Sequence, residues 1–348
     1  MKLSEFDYNL PKDLVAQKPA NPRDSSRLMV LERKSGKIYH SRFFEIGKFL
    51  NKGDVIVLNN SKVFPARLLG TKIPSGGKIE ILLLQPDLPT LKKINWAKKW
   101  LAIGKGKLKV GQEIKFSKNL TGKIVKDFGF EKIIEFNKKG KSLKKLIFNL
   151  GKVPTPPYIK SNLPKSKLKN YYQTVYAKKI GSVAAPTAGF HFTNRLIKKL
   201  KKKGIIFKYV TLHVSLGTFQ PIKEENIEKH KMPKEWAEID KKTAEFLNRA
   251  KKEEKRIIAC GTTTTRTLEG FSSQGKLLSG EKFVNLFIYP GYQFKFIDGL
   301  ITNFHLPKST PLLLVCAFAG KDFVFKAYHQ AIKKKYRFYS FGDAMLIL

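Results

Sequence analysis

The chain has 348 residues, of which 42% are hydrophobic, so it is long enough for two domains or for one large domain with an insertion. Its formal net charge of +41 points first to a nucleic-acid partner, although lysine spread along the whole chain also fits a codon-composition bias. Two distant cysteines, Cys260 and Cys316, and the lack of any Cys/His cluster argue against zinc, iron–sulfur and three-cysteine radical chemistry.

The apolar segments of the sequence predict a cytoplasmic protein. The chain opens on MKLSEFDYNLP, which has no apolar signal core. The longest apolar run, 311–319, is too short to cross a bilayer. We therefore expect a soluble, reduced, cytoplasmic chain with no membrane partner, and a monomer by default.

The first predicted buried strand is 55–58, which consists of four consecutive apolar residues. A run of that kind is typical of a strand covered on both faces. It ends at Asn59-Asn60-Ser61, at the position where open α/β sheets bind ligands. An Asx turn with no ligand explains the same cluster equally well.

The sequence changes in character between residues 63 and 150. Short β-like runs alternate there with Gly, Pro, Asn and Lys turns, which predicts a small antiparallel barrel or sandwich. The predicted strands are 66–69, 78–84, 100–103, 113–116, 122–125 and 132–136. A short helix is expected at 141–149, and the proline-rich segment 152–158 is a plausible return linker.

Helical and strand-like patterns alternate in the remainder of the chain, which indicates an α/β layer arrangement. Predicted helices are 195–203, 241–252 and 324–334, and predicted strands are 205–214, 256–259, 284–288 and 312–319. The predicted fold class is α/β: a large domain interrupted by an inserted small antiparallel β-barrel domain. The boundaries are 1–62 and 151–348 for the α/β domain and 63–150 for the barrel.

The segment 181–193, GSVAAPTAGFHFT, is the first candidate ligand loop. Its small residues allow a backbone to approach a ligand closely, and His191 is its only titratable side chain. A helix that Thr193 or Asn194 caps should follow, so the loop meets a helix N-terminus. A tight turn with a packed histidine is the alternative.

Further polar clusters lie at predicted strand ends. Four threonines and Arg266 in GTTTTRTLE, residues 261–269, suit a carboxylate or phosphate, or else form a capped helix start with Arg266 paired to Glu269. His213 faces either the core or a cleft. Aromatic and basic residues at 336–343 are typical of base stacking, and equally of a packed C-terminal strand.

In their order along the chain, these clusters resemble the S-adenosylmethionine:tRNA ribosyltransferase-isomerases of queuosine biosynthesis. The matching runs span nearly the whole chain and are sparsest in the predicted barrel. They are NPRDSSRL, GDVIVLNNSKVFPARL, GGKIEILLL, VPTPPYI, YQTVYA, GSVAAPTAGFHF, VTLHVSLGTFQPI, GTTTTRTLE, IYPGYQF, ITNFHLPKST and YRFYSFGDAM.

The resemblance implies an unusual reaction of S-adenosylmethionine. Its ribosyl part is transferred to the aminomethyl group of a 7-deazaguanine base in a tRNA anticodon loop and isomerised, which gives epoxyqueuosine-tRNA and releases adenine and methionine. No metal is implied, and no cofactor beyond S-adenosylmethionine, which is a consumed substrate. The implied fold, an α/β domain interrupted by a small β-barrel, agrees with the insertion predicted above.

The resemblance supplies positions, and the roles are hypotheses from chemistry. Proton transfers near neutral pH favour histidine, so the catalytic candidates are His191, His305 and His213. Asp343 or Glu269 would balance the sulfonium charge. The substrate-binding candidates are Asn59, Asn60, Arg67, Thr187, Gly189, Thr218, Thr262, Thr263, Arg266, Tyr289, Asn303 and Asp343. The RNA-binding candidates are Arg23, Arg27 and Arg337.

Two other functions compete with this one. A non-catalytic tRNA-binding protein would need only the charge and the aromatics, and it would not use S-adenosylmethionine. A methyltransferase would use S-adenosylmethionine, but the expected Gly-rich nucleotide loop is absent from the sequence. The small products formed from S-adenosylmethionine and precursor tRNA would separate the three.

Overall fold

The structure is a computed structural model that describes residues 1–87, 96–159, 168, 170–215, 222 and 224–348. The strands of the described residues are β1 Arg27–Glu32, β2 Lys37–Arg42, β3 Val55–Asn59, β4 Ser61–Val63, β5 Arg67–Ile73, β6 Lys78–Pro86, β7 Lys99–Lys105, β8 Glu113–Ser117, β9 Leu120–Phe128, β10 Glu131–Phe136, β11 Lys179–Ser182, β12 Ile206–Leu212, β13 Glu235–Ile239, β14 Ile257–Cys260, β15 Ser272–Ser273, β16 Lys276–Leu277, β17 Gly280–Val284, β18 Gly299–Asn303 and β19 Ala344–Ile347.

Helices cover both faces of the main sheet and one end of the barrel. The α-helices of the described residues are α1 Gly140–Leu150, α2 Asn194–Lys202, α3 Lys241–Lys252, α4 Thr262–Phe271, α5 Thr310–Ala319 and α6 Lys321–Lys333. Short 3₁₀ turns are Leu3–Phe6, Lys12–Leu14, Arg23–Ser25, Phe43–Phe49, Thr187–His191 and Ile227–Lys229.

The large domain is built on a sheet of nine described strands in the order β17-β13-β12-β3-β14-β18-β19-β1-β2. Strands β12, β3, β14 and β18 are parallel, so their carboxyl ends meet at one edge. The side chains of β3 alternate between two hydrophobic cores: Val55 and Val57 face one, and Ile56 and Leu58 face the other. The predicted strand covered on both faces is thereby confirmed.

Six strands close into an antiparallel barrel in the order β10-β7-β6-β5-β8-β9. Its interior is a separate core that includes Trp100, Ile114 and Phe136, and α1 packs against that core through Leu143 and Ile147. All six strands overlap the runs predicted from the sequence. An inserted small antiparallel barrel is therefore confirmed, and the domain boundaries at residues 63 and 150 stay a prediction.

The chain enters and leaves the barrel at one point. The backbone amide of Arg67 donates to the carbonyl of Lys152 at 3.1 Å, and the amide of Lys152 donates back to Arg67 at 2.8 Å. Gly151 permits this contact, because a Cβ atom there would lie 1.9 Å from the carbonyl oxygen of Pro65. The predicted return segment thus begins against the strand that opens the barrel.

Two strand predictions are wrong. Residues 312–319 belong to helix α5, which is buried on nearly all sides, and a fully buried helix shows the same continuous apolar run as a buried strand. Pro311 lies in the first turn of α5, where its missing N–H costs nothing. The predicted strand 284–288 is wrong because β17 ends at Val284. No helix among the described residues is long and apolar enough to cross a membrane.

Candidate active site

A cleft opens at the carboxyl ends of β12, β14 and β18, at the edge where the parallel strands meet. Residues from remote parts of the chain line it: the loop 185–188, the start of α4, and the segment that follows β18. The predicted site residues among those lining it are Thr187, Thr262, Thr263, Asn303 and His305. This position agrees with the general rule that open α/β sheets bind ligands beyond their carboxyl strand ends.

Small residues let the loops around the cleft pack closely. A Cβ atom at Gly189 would lie 1.9 Å from the hydroxyl oxygen of Tyr176, so only glycine fits there. A Cβ atom at Gly261, where φ is +90°, would lie 3.5 Å from the Cβ of Ala188. Gly189 is buried and does not line the cleft. Its place in the loop is therefore explained by packing against Tyr176.

A chain of buried hydrogen bonds runs from the N-terminal segment to the cleft. Thr187 Oγ1 donates to Asn303 Oδ1 at 3.0 Å, and Asn303 Nδ2 lies 3.1 Å from His191 Nε2. His191 Nδ1 lies 2.8 Å from Ser26 Oγ. With Asn303 donating, His191 accepts at Nε2 and carries its proton on Nδ1, which donates to Ser26.

His191 lies behind this wall of the cleft. Its side chain is 3% exposed and packs 5.1 Å from the ring of Phe43. Burial, together with the positive charges of Arg337 and Arg23, lowers the pKa of His191 to about 3. The imidazole is therefore neutral at physiological pH, and Asn303 connects it to the cleft.

His305 is the one predicted histidine that lines the cleft. Its Nε2 lies 2.7 Å from Thr302 Oγ1, and its backbone amide donates to the hydroxyl of Tyr328 at 2.9 Å. The hydroxyl of Tyr8 donates to the carbonyl of His305. Burial lowers the pKa of His305 to about 3, so it also faces the cleft as a neutral imidazole.

His213 directly follows β12 and is fixed by contacts with two other segments. Its Nδ1 lies 2.7 Å from Ser61 Oγ, and its ring stacks on Trp236 with the centroids 4.8 Å apart. Burial, with a smaller effect from Lys179, lowers the pKa of His213 to about 3. His213 is outside the set of residues that line the cleft, although its neighbour Val214 belongs to that set.

Helix α4 points its N-terminus into the cleft. Its N-cap, Gly261, has no side chain to accept hydrogen bonds from the first turn. Three threonines inside the helix donate back to carbonyls four residues earlier, whereas Thr262 and Thr263 line the cleft. Free N–H groups and the helix dipole make such an end suitable for an anion.

Arg266, in the same helix, points away from the cleft. Its guanidinium forms a buried ion pair with Glu235 and donates to the carbonyl of Leu286 at 2.9 Å. The expected alternative pairing with Glu269 is wrong, because Glu269 accepts hydrogen bonds from the backbone amides of 295–297. Both charges thus have internal partners, and neither lines the cleft.

The two asparagines after β3 have structural partners. Asn59 Oδ1 accepts from the amides of Ser61 and Leu212, and its Nδ2 donates to Thr263 Oγ1 at 3.2 Å. Asn60 Oδ1 accepts from Thr211 at 2.8 Å. Asn59 therefore combines both expectations, since it forms an Asx-type contact and also positions a threonine of the cleft.

The remaining charged candidates bind other parts of the chain. Asp343 accepts from the backbone amides of Arg27 and Arg337, and it pairs with the Arg337 guanidinium at 3.2 Å. Arg27 covers the ring of Tyr336 at 3.6 Å. The guanidinium of Arg23 donates to three carbonyls of the segment 170–173. The contacts of Asp343 and Arg27 hold the C-terminal segment beside β1, and those of Arg23 hold the segment 170–173.

Three other candidates lie elsewhere. Arg67 is in the barrel, 3.8 Å from Glu80. Tyr289 packs on Phe287, with ring centroids 5.1 Å apart, outside the residues that line the cleft. Thr218 is outside the described residues.

Sequence reasoning missed a pair of hydroxyls in the cleft wall. Tyr158 Oη lies 2.7 Å from Ser340 Oγ, and the Tyr158 ring lies 4.8 Å from that of Tyr339. All three residues line the cleft. The runs VPTPPYI and YRFYSFGDAM contain them, but nothing in either run shows that its tyrosine and serine meet.

Known proteins resemble this chain over its whole length. A family model described as "Queuosine biosynthesis protein" matches residues 3–347. An S-adenosylmethionine:tRNA ribosyltransferase-isomerase from Halothermothrix orenii is 52% identical over 352 residues, which cover 100% of both chains. The chain belongs to the queuosine biosynthesis family. The family resemblance found in the sequence motifs is thereby confirmed.

A second relative and a solved structure agree with this assignment. The protein of the same description from Thermotoga maritima is 50% identical, again over 100% of both chains. A crystal structure of S-adenosylmethionine tRNA ribosyltransferase from that organism has a TM-score of 0.56 and 39% identity, covering 99% of this chain and 100% of that chain. The fold class predicted from the sequence is confirmed.

Proposed function

We propose that the cleft binds S-adenosylmethionine and is the place where this enzyme acts on it. The family transfers and isomerises the ribosyl part of S-adenosylmethionine onto a 7-aminomethyl-7-deazaguanine base of tRNA, with release of adenine and methionine. One observation carries the assignment to the cleft: the family's motifs at 181–192, 261–269 and 301–310, remote in sequence, meet there. The tRNA anticodon loop would approach the same opening.

The N-terminus of α4 suits the methionine carboxylate. Its first N–H groups have no side-chain cap, and the hydroxyls of Thr262 and Thr263 lie beside them. Helix α5 begins at the same cleft with Ser309 as its N-cap. Two helix dipoles therefore favour negative charge at this end of the cleft.

The sulfonium needs a different partner from the one expected. Glu269 and Asp343 are both buried and hydrogen-bonded to backbone amides, so we assign the cation to the aromatic wall instead. Tyr158 and Tyr339 lie side by side in the cleft, and an aromatic face attracts a cation. The ribose then falls near Asn303 and Thr187, between the two ends.

The histidines divide into two roles under this proposal. His305 lines the cleft as a neutral imidazole, and we assign it to accept the proton from the carbon beside the sulfonium of the bound S-adenosylmethionine. His191 acts through Asn303, because its Nε2 fixes the amide whose other edge meets Thr187 and the cleft. His191 is thus a positioning residue, and the first choice as base made from the sequence is replaced by His305.

Product analysis tests the reaction. Precursor tRNA and S-adenosylmethionine are incubated with the protein, and the small products are separated by liquid chromatography. Adenine and methionine are the expected products. S-adenosylhomocysteine would indicate a methyltransferase instead, and the absence of any product would indicate a tRNA-binding protein.

A matched pair of substitutions in α4 tests the cleft. Thr262→Val removes a hydroxyl that lines the cleft, whereas Thr267→Val removes one that donates to the carbonyl of Thr263 inside the helix. We expect Thr262→Val to weaken S-adenosylmethionine binding about 5- to 10-fold in calorimetry, as for loss of one hydrogen bond. Equal binding by both variants would place the methionine end elsewhere.

A further inference from the structure

One end of the barrel is formed by three turns. Because β5 is antiparallel to β6 and β8, and β9 is antiparallel to β10, the β5–β6, β7–β8 and β9–β10 connections lie at the same end. We name this end the barrel tip and define it as residues 72–78, 105–112 and 126–132. The opposite end carries α1 and the junction with the large domain.

Hydrogen bonds join the three turns into one surface. Lys72 Nζ donates to the carbonyl of Lys107 at 2.6 Å, which links the first turn to the second. Gln112 Nε2 donates to the carbonyl of Ile73 at 2.8 Å. The amide of Gly111 donates to the carbonyl of Ile124 at 2.8 Å, which ties the second turn to β9, the strand that leads into the third turn.

The barrel tip exposes apolar side chains to an unusual degree. Phe128 is 63% exposed, Phe130 61% and Val110 59%, and these are the three most exposed large hydrophobic residues of the described chain. Ile73, in the first turn, is 40% exposed. Single exposed apolar residues are normal on a protein surface, whereas several of them close together mark an interaction site.

The same surface is strongly basic. Its only carboxylates are Asp127 and Glu131. Lys132 is buried in an ion pair with Asp127 at 2.7 Å, and the solvent-accessible lysines are Lys72, Lys78, Lys105, Lys107, Lys109 and Lys126. Six accessible lysines against one carboxylate outside that pair attract a polyanion, and they disfavour a second copy of this chain because two such tips would repel each other.

The length of the barrel sets the size of the partner. Strand β5 runs seven residues from the junction to the tip, roughly 20 Å at about 3.3 Å per residue. A nucleoside in the cleft cannot span that distance. An RNA can reach both places, and it offers phosphates to lysine and base faces to phenylalanine.

We propose that the barrel tip is a second binding surface for the tRNA substrate, where Phe128 and Phe130 stack on unpaired bases and the surrounding lysines contact phosphates. The proposal rests on the proposed function to the extent that the RNA is the enzyme's own substrate. It assigns the barrel to substrate recognition at a distance from the reacting atoms.

Substitution of the two aromatics tests this surface. The variant Phe128→Ser/Phe130→Ser is compared with Phe128→Trp/Phe130→Trp, which keeps the stacking faces, and with Leu278→Ser, an exposed apolar residue at 51% outside the tip. The affinity for an unmodified tRNA transcript is measured by fluorescence anisotropy. We expect the serine variant to bind about 10- to 100-fold more weakly, and the other two to bind like the parent chain.

Further measurements make the result decisive. S-adenosylmethionine affinity, measured by calorimetry, should be unchanged in every variant. Equal tRNA affinity of the serine variant and the parent chain would overturn the proposal. Sedimentation showing that the parent chain self-associates through the two phenylalanines would also overturn it. So would an equal loss of affinity of the serine variant for anionic lipid vesicles and for tRNA. A parent chain that binds tRNA but releases no adenine would contradict the proposed function. The comparison of tRNA affinities would still test the barrel tip.

Discussion

The cleft and the barrel tip have opposite surfaces. Around the cleft, polar side chains are buried and bonded to one another, as in the chain Thr187–Asn303–His191–Ser26. At the barrel tip, apolar rings stand in solvent among lysines. Under the two proposals above, preorganised hydrogen bonds serve a small, fixed ligand, and an adaptable exposed surface serves a large one.

The largest expected effect tests whether the cleft region is held by buried charge. Arg266→Leu leaves Glu235 buried without its guanidinium, so we expect the free energy of unfolding to fall by about 3–5 kcal/mol. Arg249→Leu is the control, since Arg249 and Glu253 are 68% and 46% exposed in an ion pair of 4.0 Å, and its loss should cost at most about 1 kcal/mol. Urea unfolding measures both, and equal losses would contradict the structural role of Arg266.

The next effect concerns the hydrogen-bond chain itself. Asn303→Ala removes the amide that joins Thr187 to His191, and we expect kcat/KM for adenine release to fall about 10²–10³-fold. In that background, His191→Leu should cause little further loss, because His191 acts through Asn303. His191→Gln, which keeps an acceptor near the Nε2 position, should recover part of the kcat of His191→Leu. Losses that multiply in the double variant would instead make His191 an independent catalytic group.

A smaller effect is expected in the pH dependence of stability. The pKa of His191 is about 3 in the folded protein, lowered by burial and then by Arg337 and Arg23, and 6.5 is its ordinary value. The unfolded chain therefore binds the extra proton below pH 6.5, so the contribution of His191 to stability falls as the pH drops from 6.5 towards 3 and is constant above 6.5. The His191→Gln variant should lose less unfolding free energy than the parent chain between pH 7 and pH 5 in urea titrations.

The smallest expected effect tests whether lysines of the barrel tip bind phosphate. Lys107→Gln/Lys109→Gln should weaken tRNA binding modestly and make its dependence on salt shallower, by roughly 0.7 in the log–log slope for each phosphate that is no longer neutralised. Lys241→Gln/Lys242→Gln on α3 is a control of equal charge in the large domain. The slope is obtained from anisotropy titrations at several salt concentrations, and identical slopes for both variants would show that these tip lysines do not bind phosphate.

Much of the architecture was predictable because its signals are local. The barrel strands show alternating short runs with turn residues, and β3 shows a continuous apolar run that reaches both cores. Helix α3 begins and ends at the predicted residues, since Asp240 caps its N-terminus and accepts from the amide of Thr243 at 2.8 Å. Helix α5 was mistaken for a strand because complete burial hides helical periodicity.

The meeting of several candidate residues at one cleft was predictable from the motifs, whereas the hydrogen bonds around the cleft were not. The motifs contain Thr187, Asn303 and His305, and the structure places all three at one cleft. The pairing of Arg266 with Glu235 joins residues 31 positions apart through the packing of α4 on the sheet, and no local pattern records it. His191 sits behind Asn303 for the same reason: its surroundings come from segments remote in sequence.

The contact at Gly151 has a consequence for how the barrel and the large domain are connected. Since Pro65 and Gly151 touch, the backbone between them leaves the large domain and returns to it at a single spot. The two ends of the barrel segment therefore lie side by side, and a short link that joined them would leave the backbone of the large domain on the same course. A side chain at position 151 would push these two backbone segments apart, so glycine at this position keeps the barrel and the large domain joined.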